Sequence, residues 1–341
     1  MTAWLVWGAG AIGGTIGGFL RRAGHDVTFV DVAAEHVAAI RTAGLRIEGP
    51  VATFAVKAPA YLPDELQGTF DAVLLCVKGQ HTSTAARALQ PFLAAEGFVA
   101  SLQNGLNDRH ITEVIGAQRT IAAFVNFGAD YVEPGRILYG GRGALAVGEL
   151  DGRITNRLTH LHAVLRDFDE TVKRTQNIRG YLWGKLAYSS LLFATALSHL
   201  PMGEALARPD WAPLWHGLAG EAIAVATAEK VRPEGFNGFD PTAYRPDGSA
   251  SERQASLDGM IAYRKTTTKN HSGMWRDMAV RRRKTEVDEQ PGLIVRIGAM
   301  HGLDCPLLHR LVDMIHAVEA GTRGFDESNI AELAHLAVAT R

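Results

Sequence analysis

Residues 3–31 read AWLVWGAGAIGGTIGGFLRRAGHDVTFVD. The apolar run Ala3 to Trp7 predicts a buried strand that enters directly on Gly8, Gly10 and Gly13, with a helical pattern behind them. A strand, a glycine loop and a helix in that order form the dinucleotide fingerprint. Gly8 permits the tight turn, Gly10 lets the backbone approach a pyrophosphate, and Gly13 lets the helix pack against the strand. Ala11 and Ile12 complete the loop at the helix start, where free N–H groups and the positive dipole end would face phosphates. A second strand, Val27 to Val30, ends on Asp31, 21 residues beyond Gly10. A carboxylate there accepts hydrogen bonds from both hydroxyls of an adenosine ribose and repels a 2′-phosphate, so NAD is expected, with NADP possible.

The rest of the composition sets limits. A chain of 341 residues more naturally makes two domains than one. Hydrophobic content of 47% and charged content of 21% are those of a soluble globular protein. A formal net charge of −1 provides no global field for nucleic acid or an acidic membrane. Two cysteines, Cys76 and Cys305, make no disulfide framework and point to a reducing cytoplasm. No signal peptide and no membrane span are expected.

Downstream, Ala33 to Ala43 has helical composition and ends on Gly44. Asp71 to Val77 (DAVLLCV) predicts another buried strand, Ala85 to Ala95 a helix containing Pro91, and Phe98 to Leu102 a further strand. Alternating strands and helices imply a mainly parallel, doubly wound sheet, in which ligands lie beyond the carboxyl ends of strands. Lys78 and Asn104 both stand at such ends. From Thr120 to Gly148 the pattern predicts short strands with Gly and Pro turns, an antiparallel extension of the same domain. Beyond about Asn177 helical patterns take over, apart from a loop at Pro233 to Ser251. The fold class expected is α/β: a Rossmann-type dinucleotide-binding domain over 1–176, then an all-α substrate and dimerisation domain over 177–341.

The helix that opens the second domain, Tyr181 to Leu197, is largely apolar, and its main polar interruptions are Lys185, Ser189 and Ser190. Lys185, Ser189 and Phe193 step by four and share one face. Such a lysine is either an edge residue with its stem on apolar surface, or an ammonium held in a cleft with a lowered pKa. A second stretch runs from Asn270 to Asp277 and on through Arg281-Arg282-Arg283-Lys284 to Glu286, and such a basic run usually marks a solvated helix face. The scattered histidines, including His160 and His162 on different faces of one helix, make no metal set. Trp183, Trp211 and Trp215 have no interleaved basic residues and read as core or pocket wall.

Taken in order, several short motifs resemble the ketopantoate reductase family, the NADPH-dependent 2-dehydropantoate 2-reductases of pantothenate biosynthesis. They are the N-terminal glycine loop, V-K-G-Q-H-T at 77–82, Q-N-G at 103–105 and E-P-G at 133–135. The series continues with L-W-G-K-L-A at 182–187, K-T-E-V-D at 284–288 and H-G-L-D-C-P at 301–306. The resemblance implies a nucleotide domain and a helical domain with substrate between them. It puts the family's catalytic lysine on Lys185, its acidic partner on Glu286, its nicotinamide-side amide on Asn104, its cofactor-edge lysine on Lys78 and a substrate-loop asparagine on Asn270. A lysine ammonium can stabilise the oxyanion that grows as hydride reaches a carbonyl and can donate the proton.

The departures concern substrate and cofactor. Two family asparagines that contact substrate are here Ser189 and Phe193, a family serine is Gly273 beside Ser272, and Asp31 stands where a basic residue commonly reads the 2′-phosphate. Phe193 in place of a carboxamide suggests a bulkier or less polar substrate, with Arg276 or the 281–284 run as candidate anion contacts. The leading expectation is therefore NAD(P)-dependent reduction of 2-dehydropantoate to pantoate by a cytoplasmic homodimer. The rivals are an NAD-dependent dehydrogenase of another hydroxy acid or alcohol, and a non-catalytic NADH sensor, which would need neither Lys185 nor Glu286.

Overall fold

The computed structural model describes residues 2–266 and 269–339. The chain divides into two compact units between Ile178 and Arg179.

The first unit is built on a mixed sheet. Its strands are β1 (Ala3–Trp7), β2 (Asp26–Val30), β3 (Leu45–Glu48), β4 (Phe54–Val56), β5 (Ala60–Tyr61), β6 (Phe70–Leu75), β7 (Leu93–Ser101), β8 (Thr120–Glu133), β9 (Arg136–Glu149) and β10 (Lys173–Arg174). Among the described residues they lie in the order β4-β3-β9-β8-β7-β6-β1-β2-β5, with β10 beside β9. Pairings from β8 through β7, β6, β1 and β2 to β5 are parallel, whereas β8 with β9 and β3 with β4 are antiparallel. Helices α1 (Ala11–Arg22), α2 (Ala34–Ala43), α3 (Thr82–Leu89), α4 (Asp108–Ile115) and α5 (Asn156–Leu165) complete the unit. Chain order turns about β1, which takes β2 on one side and β6 on the other. Such a reversal opens a crevice at the carboxyl ends of the strands.

Two expectations need correction here. The helix expected over Ala85 to Ala95 is instead α3, ending at Leu89, followed by a 3₁₀ turn over Gln90–Phe92 and then β7. Pro91 has no N–H to continue an α-helix. Between Thr120 and Gly148 there are two long strands rather than several short ones, turning at Pro134-Gly135. The glycines at 140–143 lie inside β9, where a Cβ on Gly143 would fall 1.8 Å from the Asn126 carbonyl oxygen. They allow close approach at a stretch where the register shifts, a use of strand glycine that sequence alone does not separate from a turn.

The second unit is helical: α6 (Ile178–Thr195), α7 (Met202–Leu206), α8 (Ala212–Ala228), α9 (Ala250–Lys265), α10 (Gly273–Trp275), α11 (Pro291–Met300), α12 (Pro306–Glu319) and α13 (Glu327–Ala339). Trp183, Trp211 and Trp215 are buried, and α8 packs against α11, α12 and α13. The basic run 281–284 is not a helix face. It follows a single π-helical turn over Arg276–Val280, and Arg281 and Arg283 both donate to the buried Asp277 carboxylate. No helix among the described residues is long and apolar enough to cross a membrane.

Candidate active site

In the first unit the chemistry collects beyond the carboxyl ends of four adjacent parallel strands, β7, β6, β1 and β2. Gly8 has φ +99°, and a Cβ there would lie 2.9 Å from the Val77 nitrogen. A Cβ on Gly13 would lie 2.1 Å from the Gly8 oxygen and 2.9 Å from Val6 Cγ1, so this glycine seats α1 on β1. Gly10 is different, because a Cβ there would meet nothing within 4 Å. Its flank is open, and Gly10 is the N-cap of α1 with no capping side chain and no acid in the first turn. An uncapped helix N-terminus beside an unobstructed glycine suits a pyrophosphate, with Ala11 and Ile12 supplying first-turn N–H groups.

Asp31 sits just past β2 and does more than the sequence implies. Its Oδ2 accepts the Ala9 N–H at 2.8 Å and its Oδ1 accepts the Ala33 N–H at 3.0 Å. Each oxygen keeps a lone pair for a ribose hydroxyl. Val32, 82% exposed, adds an apolar surface next to it that a base can cover.

Lys78 and Asn104 lie on the loops after β6 and β7, and both are half-buried. Gln103 joins these loops. Its Nε2 donates to the Val77 carbonyl at 2.9 Å and to Thr82 Oγ1 at 2.8 Å, while Ser101 Oγ donates to its Oε1 at 3.0 Å. Thr82 donates in turn to Asn107 Oδ1 at 2.8 Å, and Asn107 Nδ2 donates to the Asn104 carbonyl. The sequence reading missed Gln103 and Asn107 as positioning residues. Their signal, two amides flanking Asn104, has no period or spacing that separates it from any polar loop.

In the second unit Lys185 is half-buried on α6 and next to Gly184. A Cβ on Gly184 would meet the Glu234 carbonyl oxygen at 2.1 Å, so the glycine lets the 233–236 loop close on the helix. Removal from water lowers the Lys185 pKa from 10.5 to about 8; the Glu286 carboxylate opposes this and the Lys269 ammonium adds to it. Glu286 is 6% exposed. Its loop is fixed from the preceding residue, since the Thr285 N–H and hydroxyl both donate to Glu319 Oε1, at 2.6 and 2.7 Å. Lys269 was not singled out in the sequence. It lines a cleft of about 390 Å³ with Glu204, Arg264, Lys265 and Asn270.

The other expected substrate residues are placed less favourably. Phe193 is 0% exposed, so it shares the helix face of Lys185 but packs in the core and presents no ring surface to a substrate. Ser189 is buried with its Oγ on the Leu186 carbonyl at 3.2 Å, a local bond that absorbs its donor. Ser272 caps α10 by accepting the Trp275 N–H at 3.1 Å. Gly273 faces open space, and Asn270 is exposed with its carbonyl held by the Met202 N–H at 2.9 Å. Among the described residues no group of His, Cys, Asp and Glu is arranged to hold a metal ion.

Comparison with known proteins accounts for both units. The profile described as ketopantoate reductase PanE/ApbA matches residues 4–152, and the one described as ketopantoate reductase PanE/ApbA C terminal matches residues 177–319. The chain belongs to the ketopantoate reductase family. This family member is 28% identical over 317 residues to the 2-dehydropantoate 2-reductase of Archaeoglobus fulgidus, covering 93% of this chain and 97% of that one. It is 31% identical to the crystal structure of a PanE/ApbA family ketopantoate reductase from Ralstonia eutropha JMP134, with a TM-score of 0.77 over 93% of this chain and 99% of that one. D-mandelate dehydrogenase, solved with NADH and anilino(oxo)acetate, shares the fold at 20% identity, a TM-score of 0.82 and coverage of 93% and 99%. Ketopantoate reductases are oxidoreductases acting on a CH–OH group, and this chain is one by membership.

Proposed function

We propose that the chain reduces the carbonyl of a 2-oxo acid, 2-dehydropantoate first among them, to the 2-hydroxy acid, with NADH preferred over NADPH. The observation that carries this reading is Lys185, whose ammonium is loosened by burial to a pKa of about 8 against the opposing field of the buried Glu286. A group that titrates near working pH is suited to give up a proton in the transition state. Bound nicotinamide supplies the hydride that reaches the carbonyl carbon. Lys185 Nζ donates the proton that the carbonyl oxygen gains, and before that its charge offsets the growing oxyanion. Glu286 holds the lysine in its charged form and accepts a substrate hydroxyl. Asn104 and Lys78, on loops fastened by Gln103, serve the nicotinamide side and the cofactor edge. The loop that Gly8 and Gly13 shape and Gly10 leaves open would hold the pyrophosphate, and Asp31 would take the ribose hydroxyls and disfavour a 2′-phosphate. The polar contacts of the substrate fall to Asn270 and Lys269, with Ser189 and Phe193 shaping the helix behind them. A cytoplasmic homodimer completes the reading, and light scattering tests the assembly.

The deciding experiment is ketopantoate-dependent oxidation of NADH and NADPH side by side with purified protein. Turnover with ketopantoate, faster with NADH, is the expected result. If both cofactors bind and ketopantoate is inert, the named substrate falls, and a screen of 2-hydroxy acids with NAD then identifies the carbonyl that Lys185 serves.

A further inference from the structure

His36 lies on α2, wholly enclosed at 0% exposure, and the chemistry so far leaves it unused. A buried imidazole needs partners for both nitrogens. Its Nδ1 is 2.9 Å from the Gly135 backbone nitrogen and its Nε2 is 2.9 Å from the Ala9 carbonyl oxygen. A backbone N–H can only donate and a carbonyl can only accept, so the ring is neutral, with its proton on Nε2. Ala9 is therefore held on both sides, its N–H by Asp31 and its carbonyl by His36.

The consequence falls on Gly10. In a trans peptide the carbonyl of one residue and the N–H of the next point in opposite directions. Pinning the Ala9 carbonyl to His36 turns the Gly10 N–H the other way, at the N-terminus of α1, where the flank of Gly10 is open. The far end of the link is the turn of the β8–β9 hairpin. Gly135, at φ +74°, donates to His36, accepts the Arg46 N–H at 2.8 Å, and would place a Cβ 2.9 Å from Ala39 Cβ on α2.

We propose that His36 is the positioning residue that aims the glycine loop at the cofactor's phosphates. The Tyr131 ring, 5.0 Å from the imidazole, closes its other flank. The inference rests on the reading of the glycine loop as a nicotinamide dinucleotide site.

The test is the NADH dissociation constant of the full chain, read by cofactor fluorescence, for wild type, His36→Leu and His36→Gln. One lost hydrogen bond of about 1.4 kcal/mol is about tenfold in affinity. His36→Leu is expected to bind NADH about tenfold more weakly at about pH 8, with kcat at saturating NADH within about twofold. His36→Gln keeps one donor and one acceptor, so it should bind within about threefold of wild type at about pH 8. Unchanged affinity in His36→Leu overturns the proposal, as does a loss in His36→Gln as large as that in His36→Leu. If His36→Leu does not fold, His36→Met, which also lacks both bonds, is read in its place. Failure of wild type to bind NADH at about pH 8 would overturn the cofactor reading instead.

Discussion

Asp31 and Ala9 are joined by a 2.8 Å hydrogen bond from the Ala9 N–H to the Asp31 carboxylate, so the residue proposed to read the ribose also shapes the loop proposed to hold the pyrophosphate. Affinity and selectivity are thereby linked in one side chain. Asp31→Asn removes the negative charge and replaces one of two acceptor oxygens with a donor facing Ala9 or Ala33. A hydrogen bond to a charged acceptor is worth about 1.5–3 kcal/mol, so NADH affinity should fall at least about tenfold. Because repulsion of a 2′-phosphate is also lost, the NADPH to NADH affinity ratio should rise by about tenfold. Parallel titration with both cofactors checks this, and an unchanged ratio would show that Asp31 is only a loop anchor.

With Lys185 as the proposed proton donor, its titration sets the expected pH dependence of catalysis. Reduction needs the ammonium, which prevails below its pKa of about 8 and disappears above it. The reductive kcat should be flat up to about pH 7 and fall about tenfold per unit above about pH 9, while oxidation of the hydroxy acid rises through the same range. Lys185→Ala should cost about 10²–10⁴ in kcat and leave NADH affinity unchanged. Lys269 pushes the Lys185 pKa down, so Lys269→Ala should move the falling limb to higher pH. A limb that stays in place would remove Lys269 from the account.

Much of the first unit's fold was legible in the sequence, and the boundary of legibility has a physical cause. The order of strand, Gly8, Gly10, Gly13, helix, strand and Asp31 could be read because each residue answers a local backbone demand at fixed spacing. Lys185 stood out as the one charged residue between Tyr181 and Leu197, but that pattern left edge and cleft readings open, and only the family resemblance chose between them. Gln103, Asn107, His36 and Lys269 were not legible, because each acts through a partner that only the fold brings near. His36 finds Gly135 99 residues away, and Gln103 finds Val77 26 residues back. The glycines at 140–143 were misplaced for a related reason: strand bulges and turns make the same demand on composition, and only register tells them apart. Phe193 shares the helix face of Lys185, but periodicity alone does not say how deep along that face the core begins.

Gly184 tests the steric logic beside Lys185, the proposed proton donor. The contact it permits is backbone against backbone, with a Cβ only 2.1 Å from the Glu234 carbonyl oxygen, and Glu234 also donates its N–H to the Gly180 carbonyl at 2.9 Å. Gly184→Ala cannot be relieved by a rotamer, so the 233–236 loop must shift. Overpacking of this kind costs about 1–3 kcal/mol, against a small gain in helix propensity. Urea denaturation should show that loss, with kcat reduced more than NADH affinity because Lys185 is the next residue. Wild-type stability in Gly184→Ala would mean that the loop can retreat freely.

Glu221 gives the protein a stability that declines as pH rises. Its carboxylate accepts the Leu307 and Leu308 N–H groups at 2.9 Å each, at the start of α12. Burial nevertheless dominates and raises its pKa from 4.5 to about 7, with those two bonds opposing the shift. Between these values the folded chain keeps a proton that the unfolded chain has lost, so stability falls across that window and levels off above it. With some side-chain exposure remaining, the decline should be on the order of 2 kcal/mol. Glu221→Gln does not titrate and should lack this component, although it sacrifices one of the two acceptors. The measurement is urea denaturation at about pH 5 and about pH 7.5 for both proteins. Wild type should lose about 2 kcal/mol more than the variant between them. Parallel losses in the two proteins would mean that the two N–H groups, and not burial, govern this carboxyl.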